Sequence, residues 1–331
     1  MTDSFPVGRK RRTCVEPVDV LLDSENPLIT IVIPARNEAE DIAATLETCL
    51  AIDYEPKEVI VVDDSSDETP QIVASYADRG VRLIHREVNR NGCCGARNLG
   101  MQSALGEIVV LLNSDARPQP DFLRRIVPHY RQGADCLVVQ SLVLNRDTPW
   151  GQYLYARGRC KRRTSPHWSE GFSCRGQAAA AVNYIPGDFP LPFCRDNLLS
   201  QVMVQAGFTK HADLSIVMEH RVPDTASKFW RNRAWRGTIA PLYKYYFGQM
   251  PVPLVLMSES VKAFRTVLLD LLLLPLLFRG TRYARYAARG WRDLPTLVAV
   301  GLVHDLAVSA GNLKGVARLV HAEGFWRRRC A

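Results

Sequence analysis

The chain has 331 residues, 47% of them hydrophobic, enough to bury a full core and to argue against a disordered chain. Its 42 basic and 34 acidic residues leave a formal net charge of +8, and the length suits one large domain with an appendage, or two domains. The basic residues cluster at Arg9–Arg12, Arg157–Arg163, Arg279–Arg292 and Arg327–Arg329, where they can meet phosphate groups of nucleotides, nucleic acid or anionic lipid head groups.

Nine cysteines show no paired zinc-site spacing, and Cys93 and Cys94 are adjacent. That usage fits free thiols in a reducing compartment better than a disulfide scaffold. The opening MTDSFPVGRKRRT is followed by no apolar core, so no secretory signal is read there. Together these features point to the cytoplasm or the cytoplasmic face of a membrane.

Residues 1–27 read as a flexible basic lead-in. LITIVIP, Leu28–Pro34, is a short β-branched run, and Ile42, Leu46 and Leu50 then recur at helical spacing. Asn37 and Glu40 have the spacing of a capping box, the asparagine oxygen serving the first free N–H groups of that helix. A second strand, Glu58–Val62, ends in Asp63 and Asp64; Thr69 then caps a helix, Pro70 takes its first position and Gly80 ends it.

A shorter strand follows at Val81–His85, and Gly92 and Gly95 lie in a loop before a helix bearing Arg97. The aliphatic run Ile108–Leu112 stops at a polar turn, Asn113-Ser114-Asp115. Alternating strands and helices with short connections predict an α/β fold, a right-handed, mainly parallel sheet flanked by helices. Ligands collect at the carboxyl ends of such strands, where Asp115 falls.

VIPARNE (Val32–Glu38), VVDDSSDET (Val61–Thr69), GARNLG (Gly95–Gly100) and LLNSDARP (Leu111–Pro118) together resemble the successive signatures of family-2 inverting glycosyltransferases with the GT-A, Rossmann-like fold. The resemblance runs from about Leu28 to about His220 and implies a catalytic domain over 28–224. It implies a nucleotide-sugar donor, a UDP- or GDP-sugar, whose base and ribose are held by Pro34, Ala35, Arg36, Asn37, Glu38 and Asp64. Taken alone, either aspartate of Asp63-Asp64 could simply bond nearby backbone N–H groups in a turn. Arg97 could equally be a solvated helix arginine, while its place after a glycine-bearing loop suits a phosphate or the base.

Where the resembling families read Asp-X-Asp, this chain reads Asn113-Ser114-Asp115. A divalent cation, Mg²⁺ or Mn²⁺, bridging two phosphates needs only one or two protein carboxylates, so Asp115 suffices chemically. Asn113 and Ser114 remain able to hydrogen-bond the donor.

The segment 145–191 reads as less regular. WGQYLYARGRCKRRTSPHW within it either stacks on a sugar ring and touches phosphates or is an amphipathic surface loop; His167 reads as a surface histidine. The resemblance places Gly187 in a glycine-bearing loop beside the donor. Inverting transfer needs a base that takes the acceptor's hydroxyl proton, and the family carries Glu-Asp at the start of a helix here. Arg195-Asp196 stands in that place, which assigns the base to Asp196 and leaves the preceding glutamate missing; by itself, Asp196 is also an ordinary helix-start aspartate. His220, at the end of the strand-like ADLSIVMEHRV, matches a late family histidine that can ligate the metal; a lone histidine is more often structural.

From 225 to 331 a helical region is expected. VLLDLLLLPLLF and LPTLVAVGLVHDLAVSA contain Asp270, His304 and Asp305, and neither reaches the ~20 clean apolar residues of a spanning helix. Flanking Arg, Tyr and Trp suit helices lying in a membrane interface, or a loosely inserted hairpin with its basic loop on the cytosolic side; a buried helical subdomain is the alternative. FWRNRAWRG fails to match the Gln-X-X-Arg-Trp signature of processive synthases, which favours transfer of one sugar. The expected partners are the donor, a sugar or lipid-linked acceptor and a membrane surface, with no nucleic acid. Two other classes stay open: a sugar-nucleotide-binding scaffold without turnover, suggested by Asn113 and Arg195, and a nucleotidyltransferase, which lacks a Gly-rich loop with Arg and Lys after the first strand.

Overall fold

Runs of β-branched and aliphatic residues become the strands of one eight-stranded sheet in a computed structural model, which describes residues 25–87, 92–160, 170–186, 198–246 and 248–329. Strands β1 (Ile29–Ala35), β2 (Lys57–Asp63), β3 (Val81–His85) and β4 (Ile108–Leu111) lie within about a residue of the expected runs. They are joined by β5 (Ala116–Pro118), β6 (Cys136–Val143), β7 (Phe172–Arg175) and β8 (Lys210–His220) in the order β3-β2-β1-β4-β7-β6-β8-β5. The pairs β1–β2, β1–β4 and β2–β3 are parallel, whereas β7 runs antiparallel to both β4 and β6. The sheet is therefore mixed. In its parallel half β1, β4 and most of β2 are buried on both faces and read as continuous aliphatic runs, while the edge strand β3 is partly exposed.

The described residues of Met1–Ser141, Ser165–Gly187 and Arg195–Met218 form one compact unit, and those of Leu142–Thr164 and Glu219–Ala331 a second. In the first, Ile29, Ile31 and Ile33 alternate onto one sheet face. They join Ile42 and Leu46 of helix α1 (Ile42–Leu50) and Phe122, Ile126 and Tyr130 of α4 (Phe122–Arg131). Ile60 and Val62 meet Ala96 of α3 (Gly92–Ser103) on the other face. Helix α3 lies so close to β1 that a Cβ at Gly100 would meet Val32 Cγ1 at 2.2 Å.

Three local expectations fail. Asn37 does not cap α1, which begins at Ile42 with Asp41 before it and no side-chain cap. Asn37 instead adopts φ +57° and its Oδ1 accepts the Ser66 N–H at 2.9 Å, so a long-range turn contact outcompetes the local one. Helix α2 (Thr69–Ala74) starts at Thr69 itself, whose Oγ1 accepts the Glu38 N–H at 2.9 Å, and Gly80, at φ +85°, ends a following 3₁₀ turn. Gly95 lies within α3, because the helix begins at Gly92, and Cys94 on its buried side is disulfide-bonded. Cys49, Cys136, Cys160 and Cys174 are free thiols. The stretch read as less regular holds α5 (Pro149–Cys160), β7 and α6 (Gly176–Ala181).

The second unit is helical: α5, α8 (Ala226–Tyr246), α9 (Val252–Leu271), α10 (Leu274–Ala284) and α11 (Leu294–Arg329), while α7 (Leu198–Gln205) belongs to the first. Helices α8 and α11 cross at backbone contact, since a Cβ at Gly311 would meet the Ala234 carbonyl oxygen at 2.0 Å. The segment Gly290–Ala322 is long and apolar enough to cross a membrane by length and composition alone, with 44% of its 18-residue apolar window buried inside the protein. Asp270, His304 and Asp305, which interrupt these apolar runs, are buried and gather around half-buried Arg279. Arg279 reaches Asp270 at 3.0 Å and also Asp305, and His304 Nδ1 lies 2.9 Å from Asp305.

Burial, then the neighbouring Asp305, pushes the Asp270 carboxyl up to about 6. A carboxyl raised on folding favours the fold at low pH and withdraws that support as pH rises through its folded value. Asp270→Asn is accordingly expected to gain melting temperature over the parent between about pH 4 and pH 7. The gain at neutral pH is at most about 3 kcal/mol. A pH series of thermal unfolding checks this, and a difference that stays flat with pH contradicts it.

Candidate functional site

Because β1, β2 and β4 are neighbours with Ala35 opposite Asp63 and Leu111 opposite Val32, the turns that follow them share one edge of the sheet. The first turn, Pro34 to Glu38, is tied to the second by main-chain and side-chain bonds. Ala35 O accepts the Asp64 N–H at 2.9 Å, and Ser65 Oγ accepts the Asn37 N–H at 2.7 Å. Pro34 and Ala35 are buried, Arg36 and Asn37 exposed, and Glu38 half-buried.

The two aspartates that end β2 differ in their partners. Asp63 is fully buried, with Oδ2 2.9 Å from His85 Nδ1 and accepting the Ser65 N–H. Asp64 has 4% of its side chain exposed and is gripped at both oxygens by Arg86, with Nε donating to Oδ1 at 2.5 Å. A donor group reaching Asp64 would therefore meet a carboxylate already oriented by a planar, bidentate cation.

Arg97 is not a solvated arginine. It is 0% exposed, and its NH2 group donates to Asn113 Oδ1 at 2.5 Å. Asn113 faces a second group that sequence reasoning missed. Glu170, 8% exposed, accepts the Asn113 N–H on Oε1 at 3.2 Å and the side-chain amide of Asn113 on Oε2. The antiparallel register of β4 with β7 sets Leu111 opposite Phe172, and continuing it two residues beyond the strand brings residue 113 opposite 170. Only knowledge of that pairing could have singled out Glu170; no periodicity in the sequence carries it.

The triad also accounts for the asparagine. An amide can accept from Arg97 and donate to Glu170, whereas an aspartate at 113 would set two carboxylates against each other in a largely dry site. Asn113→Asp is expected to cost about 2–4 kcal/mol of stability at neutral pH. Adding Glu170→Gln, whose amide can donate to the new carboxylate, is expected to restore most of it. Thermal unfolding of the two single variants and the double variant forms a coupling cycle, and additive effects would contradict the triad.

Ser114 is buried and its carbonyl accepts the Thr45 hydroxyl at 2.5 Å, while the Asn113 carbonyl accepts the Ala116 N–H at 3.2 Å. These bonds fix the turn that carries the half-buried Asp115. His220 ends β8, and its carbonyl accepts the Leu144 N–H at 2.8 Å. Among the described residues no group of three or more His, Cys, Asp and Glu could hold a metal ion. Gly187, Asp196 and His167 lie outside the described residues. The donor set at Asp115, one carboxylate on a polar turn, fits an ion that is carried mainly by substrate phosphates and waters.

Linked turns bearing amide, carboxylate and guanidinium groups thus lie at the carboxyl edge of parallel strands, where open α/β folds gather their ligands. The sequence profile described as Glycosyl transferase family 2 matches residues 30–180 of this chain. The chain is 42% identical over 122 residues to the succinoglycan biosynthesis protein ExoO of Rhizobium meliloti, a match covering 37% of this chain and 34% of that protein. It is 35% identical over 124 residues to an undecaprenyl-phosphate 4-deoxy-4-formamido-L-arabinose transferase of Pectobacterium carotovorum, covering 36% and 37% of the two chains. The matches thus span about a third of the length of these relatives. A mannosyltransferase of Pyrobaculum calidifontis, solved with GDP-Man and Mn²⁺, superposes over 91% of both chains with a TM-score of 0.58. At 22% identity, that likeness establishes the fold alone.

Proposed function

We propose that the protein is an inverting glycosyltransferase that moves one sugar from a nucleoside-diphosphate sugar to a hydroxyl of a lipid-linked or other membrane-proximal acceptor. The observation that carries this reading is the convergence of the 34–38, 63–64 and 113–115 turns on one sheet edge, within the segment that the glycosyl transferase family 2 profile matches. Asp64 and the first turn hold the base and ribose. Arg97 fixes Asn113, and through it the turn of Asp115, rather than reaching solvent. Support for the donor class comes from the Pyrobaculum mannosyltransferase solved with GDP-Man and Mn²⁺, and for the acceptor class from the undecaprenyl-phosphate transferase.

Asp115, with His220 as a second candidate ligand, would hold a divalent cation, which neutralises charge on the diphosphate when bound. Asp196 takes the proton of the acceptor hydroxyl as its oxygen bonds the anomeric carbon from the face opposite the diphosphate. The anomeric C–O bond breaks, its electron pair leaves with the nucleoside diphosphate, and the sugar inverts. The reading is tested by incubating the protein with UDP- and GDP-sugars, with and without Mn²⁺. Slow, metal-dependent release of nucleoside diphosphate is expected; pyrophosphate as product would instead indicate nucleotidyl transfer.

The membrane part of the proposal rests on α9 and α10. Leu254, Met257, Val261, Phe264, Leu268 and Leu271 are exposed at helical spacing along α9, and Leu272–Leu274, Leu277 and Phe278 continue the apolar surface. Exposed Arg265, Arg282, Arg285, Arg289 and Arg292 accompany it, with Trp291. An apolar stripe flanked by arginines and an indole suits a helix lying in an anionic bilayer surface. Phe264→Asp with Leu268→Asp is expected to abolish flotation with phosphatidylglycerol-containing vesicles without lowering the melting temperature. Flotation unchanged in that variant would contradict the assignment of this face.

A further inference from the structure

Helix α8 carries a buried cation that neither the fold nor the proposed reaction uses. Arg233 is 6% exposed, its guanidinium stands over the Phe229 ring at 5.6 Å, and its NH2 group donates to the neighbouring Asn232 side chain. Its Nε, buried as well, has no hydrogen-bond partner. Among the described residues no carboxylate pairs with it; Asp305 is taken by Arg279 and His304. The charges that do act on Arg233 are those of Arg236, one turn further along α8, and Arg157 of α5. Burial and these two like charges press its pKa down to about 9, so it is still a cation at neutral pH.

A buried, unpaired guanidinium beside two more arginines costs stability, and the cost is relieved by an anion with several acceptor oxygens. Arginine's planar fork matches phosphate oxygens in particular. Phe229, under the guanidinium, packs with Trp150 and Tyr153 and against His304, and the nearby carboxylate, Asp305, is already held by His304 and Arg279. We infer that Arg157, Arg233 and Arg236 form a binding site for a phosphate or diphosphate group in the C-terminal helical unit, one in addition to the donor site. The phosphate is carried either by a lipid head group or by a soluble molecule. The inference stands on the arginine cluster and does not require the transferase reading.

Thermal unfolding is measured with inorganic pyrophosphate in the presence of EDTA, which removes metal-supported binding at Asp115. The parent protein and Asp115→Asn are both expected to be stabilised by pyrophosphate. Arg233→Met is expected to melt higher than the parent without ligand and to show no pyrophosphate shift. Arg236→Gln, at an exposed position that cannot disturb the core, is expected to weaken pyrophosphate binding about tenfold. Co-sedimentation with phosphatidylcholine vesicles, with and without phosphatidic acid, then separates the sources. A dependence on phosphatidic acid that Arg233→Met removes assigns the phosphate to a lipid, and a pyrophosphate shift without it assigns a soluble ligand. A shift that survives in both arginine variants, or that disappears in Asp115→Asn alone, overturns the site.

Discussion

Asp115→Asn is expected to lower nucleoside-diphosphate release by about 10²–10³-fold, the usual cost of removing one preorganised electrostatic contact to developing charge. It is also expected to remove the Mn²⁺ dependence of donor-induced stabilisation. The reason lies in the turn itself. Asn113 is an amide committed to Arg97 and Glu170, and Ser114 is buried with its carbonyl bonded to Thr45. Asp115 is therefore the one carboxylate that this turn offers to a metal-bound diphosphate. Because the turn is fixed by the bonds of Thr45 and Ala116 to main-chain carbonyls, the substitution leaves the fold unchanged, and loss of activity reads as loss of charge. Initial rates at saturating and sub-saturating Mn²⁺ check this. Activity within a few-fold of the parent, with metal dependence retained, would move the metal elsewhere.

The same triad bears on whether asparagine at 113 signals a scaffold without turnover. An aspartate would face Glu170, so the amide is what this pocket requires, and the acidic character of the site is kept by Glu170 and Asp115 together.

How much of this was legible in the sequence depends on which interactions are local. Strands β1, β2 and β4 were readable because buried parallel strands need aliphatic residues on both faces, and Ile29–Ile33 or Val59–Val62 can hardly be anything else. The edge of the sheet that gathers Ala35, Asp64 and Asp115 followed from that alternation. Features fixed by tertiary pairing were not legible. Asn37 and Glu40 satisfy a local capping pattern, yet Asn37 bonds Ser66 across to the second turn. Glu170 meets Asn113 because β7 runs antiparallel beside β4, a reversal that no residue spacing announces. Asp270, His304 and Asp305 interrupt apolar runs and spoke against a clean spanning helix, but no spacing announced that the fold buries them around Arg279. The exposed apolar stripe falls on α9 and α10, and α11 packs its glycines against α8.

The central claim is that an aspartate at 196 deprotonates the acceptor at a site built around Asp115. Loss of a positioned general base costs about 10²–10⁴-fold in rate, while donor binding, which depends on the 34–38, 63–64 and 113–115 turns, is untouched. The most direct measurement is therefore nucleoside-diphosphate release by Asp196→Asn with Mn²⁺ and donor, alongside the donor-induced rise in melting temperature. Release is predicted to fall to the background rate with the rise in melting temperature unchanged. Release within a few-fold of the parent protein would contradict the account.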